Sequence, residues 1–322
     1  MKRNYLIKRI LQAVITVLLV IVLNYILFRV MPGNPLAMIM RNPKASPEAV
    51  KKVEALFGLD KPWYVQFGVF FKQLLKGDFG LSFTYKKPVI EIIGGKVLPT
   101  ILLTAVSEII AIIIGIIIGT ISAWKRGTKA DVISLSFSLI TYSMPTFWLG
   151  IVLVAFFSVY LGAFPTTGMT TPGLSDGGFW MTFKDVAKHL FLPALTLSLV
   201  LIGEYALVMR NSLLDVLSED YINTARAKGL TEKDIIKKHA IPNARLPMVT
   251  IIAINMGFMI AGAIQVETVF SWPGIGRLMY DALSNRDYPL LQGIFFIISV
   301  SVVLANLIAD ILYSYLDPRI KN

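Results

Sequence analysis

Three carboxylates interrupt long apolar runs: Glu108 within 98–123, Glu204 within 190–209 and Asp310 within 289–312. A carboxylate in a hydrophobic stretch is costly in lipid. It marks either a proton path or a side chain hydrogen-bonded to packing partners. Three scattered acids are few for a relay, and Glu204 and Asp310 lie toward one boundary, where water helps; this weighs toward packing. The two histidines, His189 and His239, fall on opposite sides of a span, so no paired site is available, and each reads as a solvated interfacial side chain. With no cysteine there is no disulfide, thiol nucleophile or thiolate metal site. Gly127-Thr128-Lys129 lacks the spacing of a nucleotide-cradling loop. No nucleophile–base constellation supports an intramembrane enzyme. Any work done by ATP must come from a partner; otherwise the chain is a proton- or ion-coupled carrier, for which Glu108 and Glu204 are the candidate groups. Such a carrier predicts an internal repeat between halves, and none is visible.

The elements that must position these groups are membrane spans. Of 322 residues, 55% are hydrophobic and 16% charged, and the mean hydropathy is +0.68. A water-facing domain needs a far more polar surface. A span takes about 20 mostly apolar residues, and the segments that qualify are 10–30, 98–123, 133–161, 190–209, 247–267 and 289–312. The first follows Lys8-Arg9 but is too long for a signal peptide core and is followed by Arg29-Val30-Met31-Pro32-Gly33 rather than a small-residue cleavage site. It is expected to remain as a span. Pro145, Gly150 and Pro193 fall within or beside spans, where neighbouring helices can satisfy freed backbone groups.

Six spans put both termini on one side. The pieces on that side (1–9, 124–131, 210–247 and 317–322) hold 16 of the 31 Lys and Arg. The long segment after span one holds most of the rest, but long loops cross regardless of charge. Both termini are therefore expected in the cytoplasm, and the net charge of +11 reflects basic loops rather than nucleic-acid binding. In the external segment, Trp63, Phe67, Phe70, Phe71, Leu74 and Leu75 recur at helical spacing, predicting an amphipathic helix. Its aromatic face would lie on the membrane or the bundle, or form part of a docking surface.

The longest cytoplasmic loop, 210–247, reads as two short helices bent at Gly229. Tyr221, Ile222 and Ala225 share a face of the first, Gly229 supplies a left-handed end, and Thr231 stands three before Asp234 as a capping box opening a second helix through Ala240. Ala225 and Ala227 beside the bend would let another protein approach the backbone closely; the alternative is a hairpin resting on lipid headgroups.

Here the residues carry a resemblance. Asp220-Tyr221-Ile222-Asn223-Thr224-Ala225-Arg226-Ala227-Lys228-Gly229-Leu230, followed by His239-Ala240 and Asn243-Ala244, resembles the coupling loop of ATP-binding-cassette importer permeases. It is most similar to the B-type subunit of the dipeptide, oligopeptide and nickel permease family. In the general pattern of that loop, Gly229 and Pro242 fall on its Gly and Pro and Ala225 on its second Ala. Asn223, Thr224 and His239 replace its Glu, first Ala and Ile, as Thr-Ala-Arg-Ala-Lys-Gly commonly does in the peptide branch. Further matches are Pro32-Gly33-Asn34-Pro35, Gly58-Leu59-Asp60-Lys61-Pro62, Gly77-Asp78-Phe79-Gly80-Leu81-Ser82 and Leu192-Pro193-Ala194-Leu195. The last third adds Glu267, Phe270, Pro273-Gly274-Ile275-Gly276, Arg286-Asp287-Tyr288-Pro289 and Asp317-Pro318-Arg319.

The resemblance implies an all-α membrane protein of six transmembrane helices with the ABC type I importer permease fold and an external segment between helices one and two. The expected organisation is 1–31 (cytoplasmic N-terminus and first span), 32–96 (external), 97–316 (permease core with its coupling loop) and 317–322 (cytoplasmic tail). It further implies a bacterial or archaeal cytoplasmic membrane, a second homologous permease subunit, two cytoplasmic ATPases that bind ATP and Mg, and an external solute-binding protein. No cofactor is expected in this chain. The coupling residues implied are Tyr221, Thr224, Ala225, Arg226, Ala227, Lys228, Gly229, Leu230, His239, Ala240 and Asn243. Peptides are the implied cargo, with nickel and oligosaccharides also carried within the family; the pathway residues are not assigned.

Overall fold

The structure, a computed structural model, describes residues 3–30, 62–174, 178–259 and 263–316. The motif matches at 32–35, 58–61 and 317–319 lie outside these residues. Helices follow one another along the chain: α1 (Arg3–Val30), α2 (Trp63–Leu75), α3 (Val89–Trp124), α4 (Lys129–Ser143), α5 (Thr146–Leu153), α6 (Phe179–Leu217), α7 (Asp220–Ala227), α8 (Glu232–Asp234), α9 (Ile241–Phe258), α10 (Ile264–Val269), α11 (Ile275–Ser284) and α12 (Tyr288–Leu316). Wider π-helical turns extend α5 over Val154–Tyr160 and link α8 to α9 over Ile235–Ala240. No β-strand occurs among the described residues, as expected where lipid leaves every backbone group to be satisfied within its own helix.

Four helices are long and apolar enough to cross a bilayer unbroken: Ile7–Phe28, Val89–Trp124, Phe179–Leu217 and Tyr288–Ile308. The third expected span, 133–161, is not one rod: α4 and α5 meet at a bend of 102°. The break falls at Pro145. Its ring fixes φ at −58°, and the preceding Met144 is pushed to an extended ψ of 133°. The fifth expected span corresponds to α9, whose apolar stretch is Pro247–Met256. Pro99 and Pro193, by contrast, sit inside α3 and α6 without ending them.

α3 and α6 have 36 and 39 residues, well beyond the ~20 that cross ~30 Å of hydrocarbon, and they form the axis of the bundle. Their contact runs through glycine. A methyl group at Gly115 would stand 2.6 Å from Tyr205 Cβ, and one at Gly119 would stand 2.5 Å from the Ala206 carbonyl oxygen. On another side of α6, Gly203 lies against α4, where a methyl group would stand 2.6 Å from the Ser138 carbonyl oxygen. Small residues let helix backbones approach closely in lipid, where the apolar solvent gives no hydrophobic push between helices.

The core divides along this axis. At the end of the bundle carrying the 210–247 loop, called here the loop end, Tyr205, Met209 and Leu213 of α6 pack with Ile222, Ile235, Ala240, Ala244 and Met248. At the far end, Val89 and Ile93 of α3 meet Ile275, Leu278, Leu290 and Ile294. Among the described residues, α1 is held mainly against α12. Asn24 Nδ2 donates to the Gln292 carbonyl at 3.2 Å, and Arg9 pairs with Asp310 at 3.3 Å. α1 and α12 therefore run antiparallel, with residues 9 and 310 at the same end. Most of α1's apolar side chains, Leu11, Leu19 and Leu23 among them, face outward, as a lipid-facing helix requires. Phe67 and Phe70 of α2 pack on Tyr25, whose hydroxyl donates to the Trp63 carbonyl. Phe67, Phe70 and Leu74 thus lie on the bundle, while Trp63 and Leu75, expected on the same face, are exposed.

Two fully buried carboxylates stitch the far end together. Asp287 stands just before α12 and accepts from the Ser82 hydroxyl at 2.5 Å and from the backbone N–H groups of Phe83 and Thr84. Glu267 accepts from the Thr100 hydroxyl at 2.8 Å and from the Arg277 N–H at 3.0 Å.

Candidate functional site

The loop between α6 and α9 is built from local chemistry that makes it stiff. α7 begins with Glu219 at its N-cap and Asp220 in its first turn, an acid placed where the helix dipole favours it. It ends in a Schellman motif: the Gly229 N–H donates to the Arg226 carbonyl at 2.9 Å and the Leu230 N–H to the Ala225 carbonyl at 3.3 Å. Gly229 takes φ +79°, the left-handed conformation that closes this motif. Arg226 then reaches across the bend to Glu232 at 2.8 Å.

On the other side of the bend, the Thr231 hydroxyl accepts from the Asp234 N–H at 3.2 Å and donates to the Asp234 carboxylate at 2.7 Å. Lys238 pairs with the same carboxylate at 2.9 Å. The Thr231 hydroxyl first, and Lys238 after it, hold the Asp234 carboxyl below the usual carboxylate range. The N-cap half of the expected capping box is thus formed, while the Asp234 carboxylate takes the Thr231 hydroxyl rather than reaching back to the Thr231 N–H. The helix it opens does not stop at Ala240, however. It widens into a π-helical turn and runs directly into α9, so the loop is one short helix, a bend and the foot of a long helix. Pro242, at the start of α9, has no N–H to donate, and the Asn243 side chain bonds the His239 carbonyl at 2.7 Å.

The loop has two faces. Ile222, Ala225, Ile235, Ile236, Ala240 and Ala244 are buried, and most of them pack against Met209, Leu213 and Met248. Tyr221, Thr224, Arg226, Ala227, Lys228, Gly229 and Leu230 are exposed around the bend, with His239 half-buried. The two alanines expected side by side at a docking surface therefore part company. Ala227 is exposed, while Ala225 (6% exposed) is small because it packs inward. Ala240 likewise sits beneath the loop.

The intramembrane acids resolve as packing partners. The Tyr205 hydroxyl donates to Glu108, and Asn255 Nδ2 donates to both the Tyr205 oxygen at 3.0 Å and Glu204 at 3.3 Å. One hydrogen-bonded set thus joins α3, α6 and α9. Asp310 pairs with Arg9. His189 is not solvated as expected: it is buried, with Nδ1 2.9 Å from the Asp185 carbonyl one helical turn back. Sequence reasoning passed over Asp131, which pairs with Arg210 at 3.0 Å at the base of the loop. Its signal in the sequence was an acid two residues ahead of the apolar run 133–161. Among the described residues no cluster of three or more His, Asp or Glu is arranged to hold a metal ion.

Comparison with known proteins gives a consistent pattern. The family described as "Binding-protein-dependent transport system inner membrane component" matches residues 111–322, and its N-terminal companion matches residues 1–104. The dipeptide transport system permease protein DppB of Alkalihalophilus pseudofirmus is 38% identical over 331 aligned positions, covering 98% of this chain and 99% of that one. The glutathione transport system permease protein GsiC of Escherichia coli (strain K12) is 38% identical over 318 positions, covering 99% of each. Among solved structures, the inward-facing MetNI methionine ABC transporter superposes with a TM-score of 0.58 at 18% identity, covering 72% of this chain and 99% of the matched chain. A second crystal form of it gives 0.56. At that identity the likeness speaks for the fold alone, which is that of a type I importer permease.

Proposed function

The chain belongs to the family of binding-protein-dependent transport system inner membrane components, and from that premise we propose that it forms half of the translocation path of an ATP-driven importer of di- or oligopeptides. Its place is a bacterial or archaeal cytoplasmic membrane, with both termini and the 210–247 loop in the cytoplasm. A second homologous permease completes the path. Two cytoplasmic ATPases, which bind the ATP and Mg, engage the loop, and an external solute-binding protein delivers the cargo. The full-length relatives are named for a dipeptide and for glutathione, which favours a peptide over nickel or an oligosaccharide.

The observation that carries this reading is the two-faced loop. Its inner face is anchored in the core that holds α6 and α9, and its outer face presents Tyr221, Thr224, Ala227, Lys228 and Leu230 around a bend stiffened on both sides. A lever of this kind transmits a push because it does not absorb it. When the ATPases close on ATP, the loop carries their displacement into α6 and α9 and tilts the spans. Ala225 and Ala240 serve from beneath by letting the loop lie close on the core, and Asn243 holds the turn into α9.

The test is uptake by proteoliposomes holding the chain with its second permease and ATPases, supplied with binding protein and radiolabelled dialanine or glutathione. Uptake should require ATP and the binding protein, and Gly229→Arg should abolish both ATPase co-purification and uptake. Retention of both in that variant would overturn the proposal. Uptake by the chain alone, driven by a proton gradient, would make it a secondary carrier instead.

A further inference from the structure

At the loop end, four polar groups close around one carboxylate. Asp131, in the first turn of α4, accepts from Arg210 Nε at 3.0 Å and from Arg210 Nη2 at 3.2 Å. The Ser122 hydroxyl of α3 donates to it at 2.6 Å, and the Gly127 N–H donates at 3.0 Å. Arg210 Nε also donates to Ser122 Oγ at 3.0 Å. The Asp131 and Arg210 side chains are only 8% and 15% exposed. Gly127, at φ +78°, shapes the turn so that its N–H faces the carboxylate.

Three features of this knot go beyond holding the fold together. First, apolar side chains of similar volume commonly stabilise a buried position as well as an ion pair does, so stability alone does not account for the pair. Second, a two-pronged guanidinium–carboxylate contact fixes relative rotation as well as distance, which an apolar contact does not. Third, its members stand at a junction. Arg210 lies on α6 at the first residue of the loop, Asp131 opens α4, and α4 leads straight to the 102° break at Pro145. α4 has no side-chain cap from its own N-cap residue, Thr128, whose hydroxyl turns back to the Lys125 carbonyl. The foot of α4 is therefore oriented by α6.

We propose that Asp131 and Arg210 are positioning residues of the transport cycle: their ion pair makes the foot of α4 follow α6, so that displacement of the 210–247 loop reaches the broken span. This rests on the reading above that the loop receives the ATPase stroke. It adds that the stroke is passed sideways, from an unbroken helix to the one that is broken.

The absence of cysteine from the chain makes a distance test direct. Lys129→Cys on α4 and Asp215→Cys on α6, both exposed, carry spin labels in the full complex, and a second pair joins Lys129→Cys to an exposed site on an ATPase. In the complex with native Asp131, the Lys129–Asp215 distance should keep one narrow distribution with and without ATP, while the distance to the ATPase changes. Asp131→Asn, nearly isosteric but uncharged, should broaden the first distribution and lower peptide uptake per ATP hydrolysed about tenfold, with normal amounts of complex in the membrane. If the Lys129–Asp215 distance shifts on ATP binding with Asp131 intact, the inference is overturned even where Asp131→Asn does not accumulate. It is also overturned if Asp131→Asn keeps both the narrow distribution and native uptake per ATP. Absence of any ATP response at the ATPase-facing pair would remove the reading of the loop itself, and this inference with it.

Discussion

Glu267 and Thr100 come from helices 167 residues apart in sequence, yet the Thr100 hydroxyl donates to the Glu267 carboxylate at 2.8 Å with both residues fully buried. The same hydroxyl oxygen accepts from the Ile275 N–H at 2.8 Å, and Trp272 Nε1 donates to the Pro99 carbonyl at 2.8 Å. The segment that follows span five is thereby pinned to α3. Gly274 and Gly276 supply the room: a methyl group at Gly274 would collide with the Glu267 carboxylate. Gly274→Ala is expected to destabilise the purified protein by about 1–3 kcal/mol. Glu267→Leu, which strands the Thr100 and Arg277 donors, should cost at least as much. Thermal unfolding in detergent, followed by tryptophan fluorescence, checks both; an unchanged midpoint would contradict this role for the carboxylate.

Gly229 occupies the left-handed region with open space around it. The penalty for a side chain there is thus conformational, not steric. Gly229→Ala should weaken the bend by about 1 kcal/mol and lower ATP-driven uptake severalfold, with normal levels in the membrane. Gly229→Val should do more than Ala because a β-branched residue tolerates this region less. Equal uptake in all three proteins would argue that the bend's conformation is unimportant.

The α3–α6 contact is sensitive to single methyl groups. Gly119→Ala places an atom against the Ala206 carbonyl and Met209 Cβ and should cost about 1–3 kcal/mol, read as a lower unfolding midpoint. Gly127→Ala places its methyl group in open space, so it meets only the backbone penalty and should cost less than Gly119→Ala. The order of the two midpoints is the decisive observation.

Asp234 gives the loop a pH dependence of known sign. Its folded pKa is depressed, so its stabilising contribution is present above the ordinary Asp value of about 3.9 and is lost as pH falls through the lower folded value. After correction for intrinsic exchange, amide protection at Ile235 should hold from about pH 7 to about pH 5 and fall only in stronger acid. Thr231→Ala should lower that protection throughout this range. A decline beginning near neutral pH would point to another group.

Much of this architecture could be read along the chain, and the parts that could not share a cause. Lipid demands unbroken apolar runs, so the spans stand out; α7, Gly229 and the Thr231–Asp234 cap are written within a few residues of one another. Pro145, in contrast, is no different in kind from Pro99 or Pro193, yet only Pro145 ends a helix. Packing decides this, and packing is not local. The burial of Ala225 and His189, and the partnering of Glu108 by Tyr205, likewise depend on what the fold brings across from another helix. Glu267 and Asp287 stood in recognisable motifs, but their partners lie 167 and 205 residues away.

The glycines between α3, α6 and α4 have a last consequence. Where main chain meets main chain, no layer of long side chains exists to re-pack, so those helices have no means of sliding past one another by small rotamer adjustments. Bending within this trio therefore falls to the corner at Pro145, where α4 and α5 can change angle while the glycine contacts stay closed.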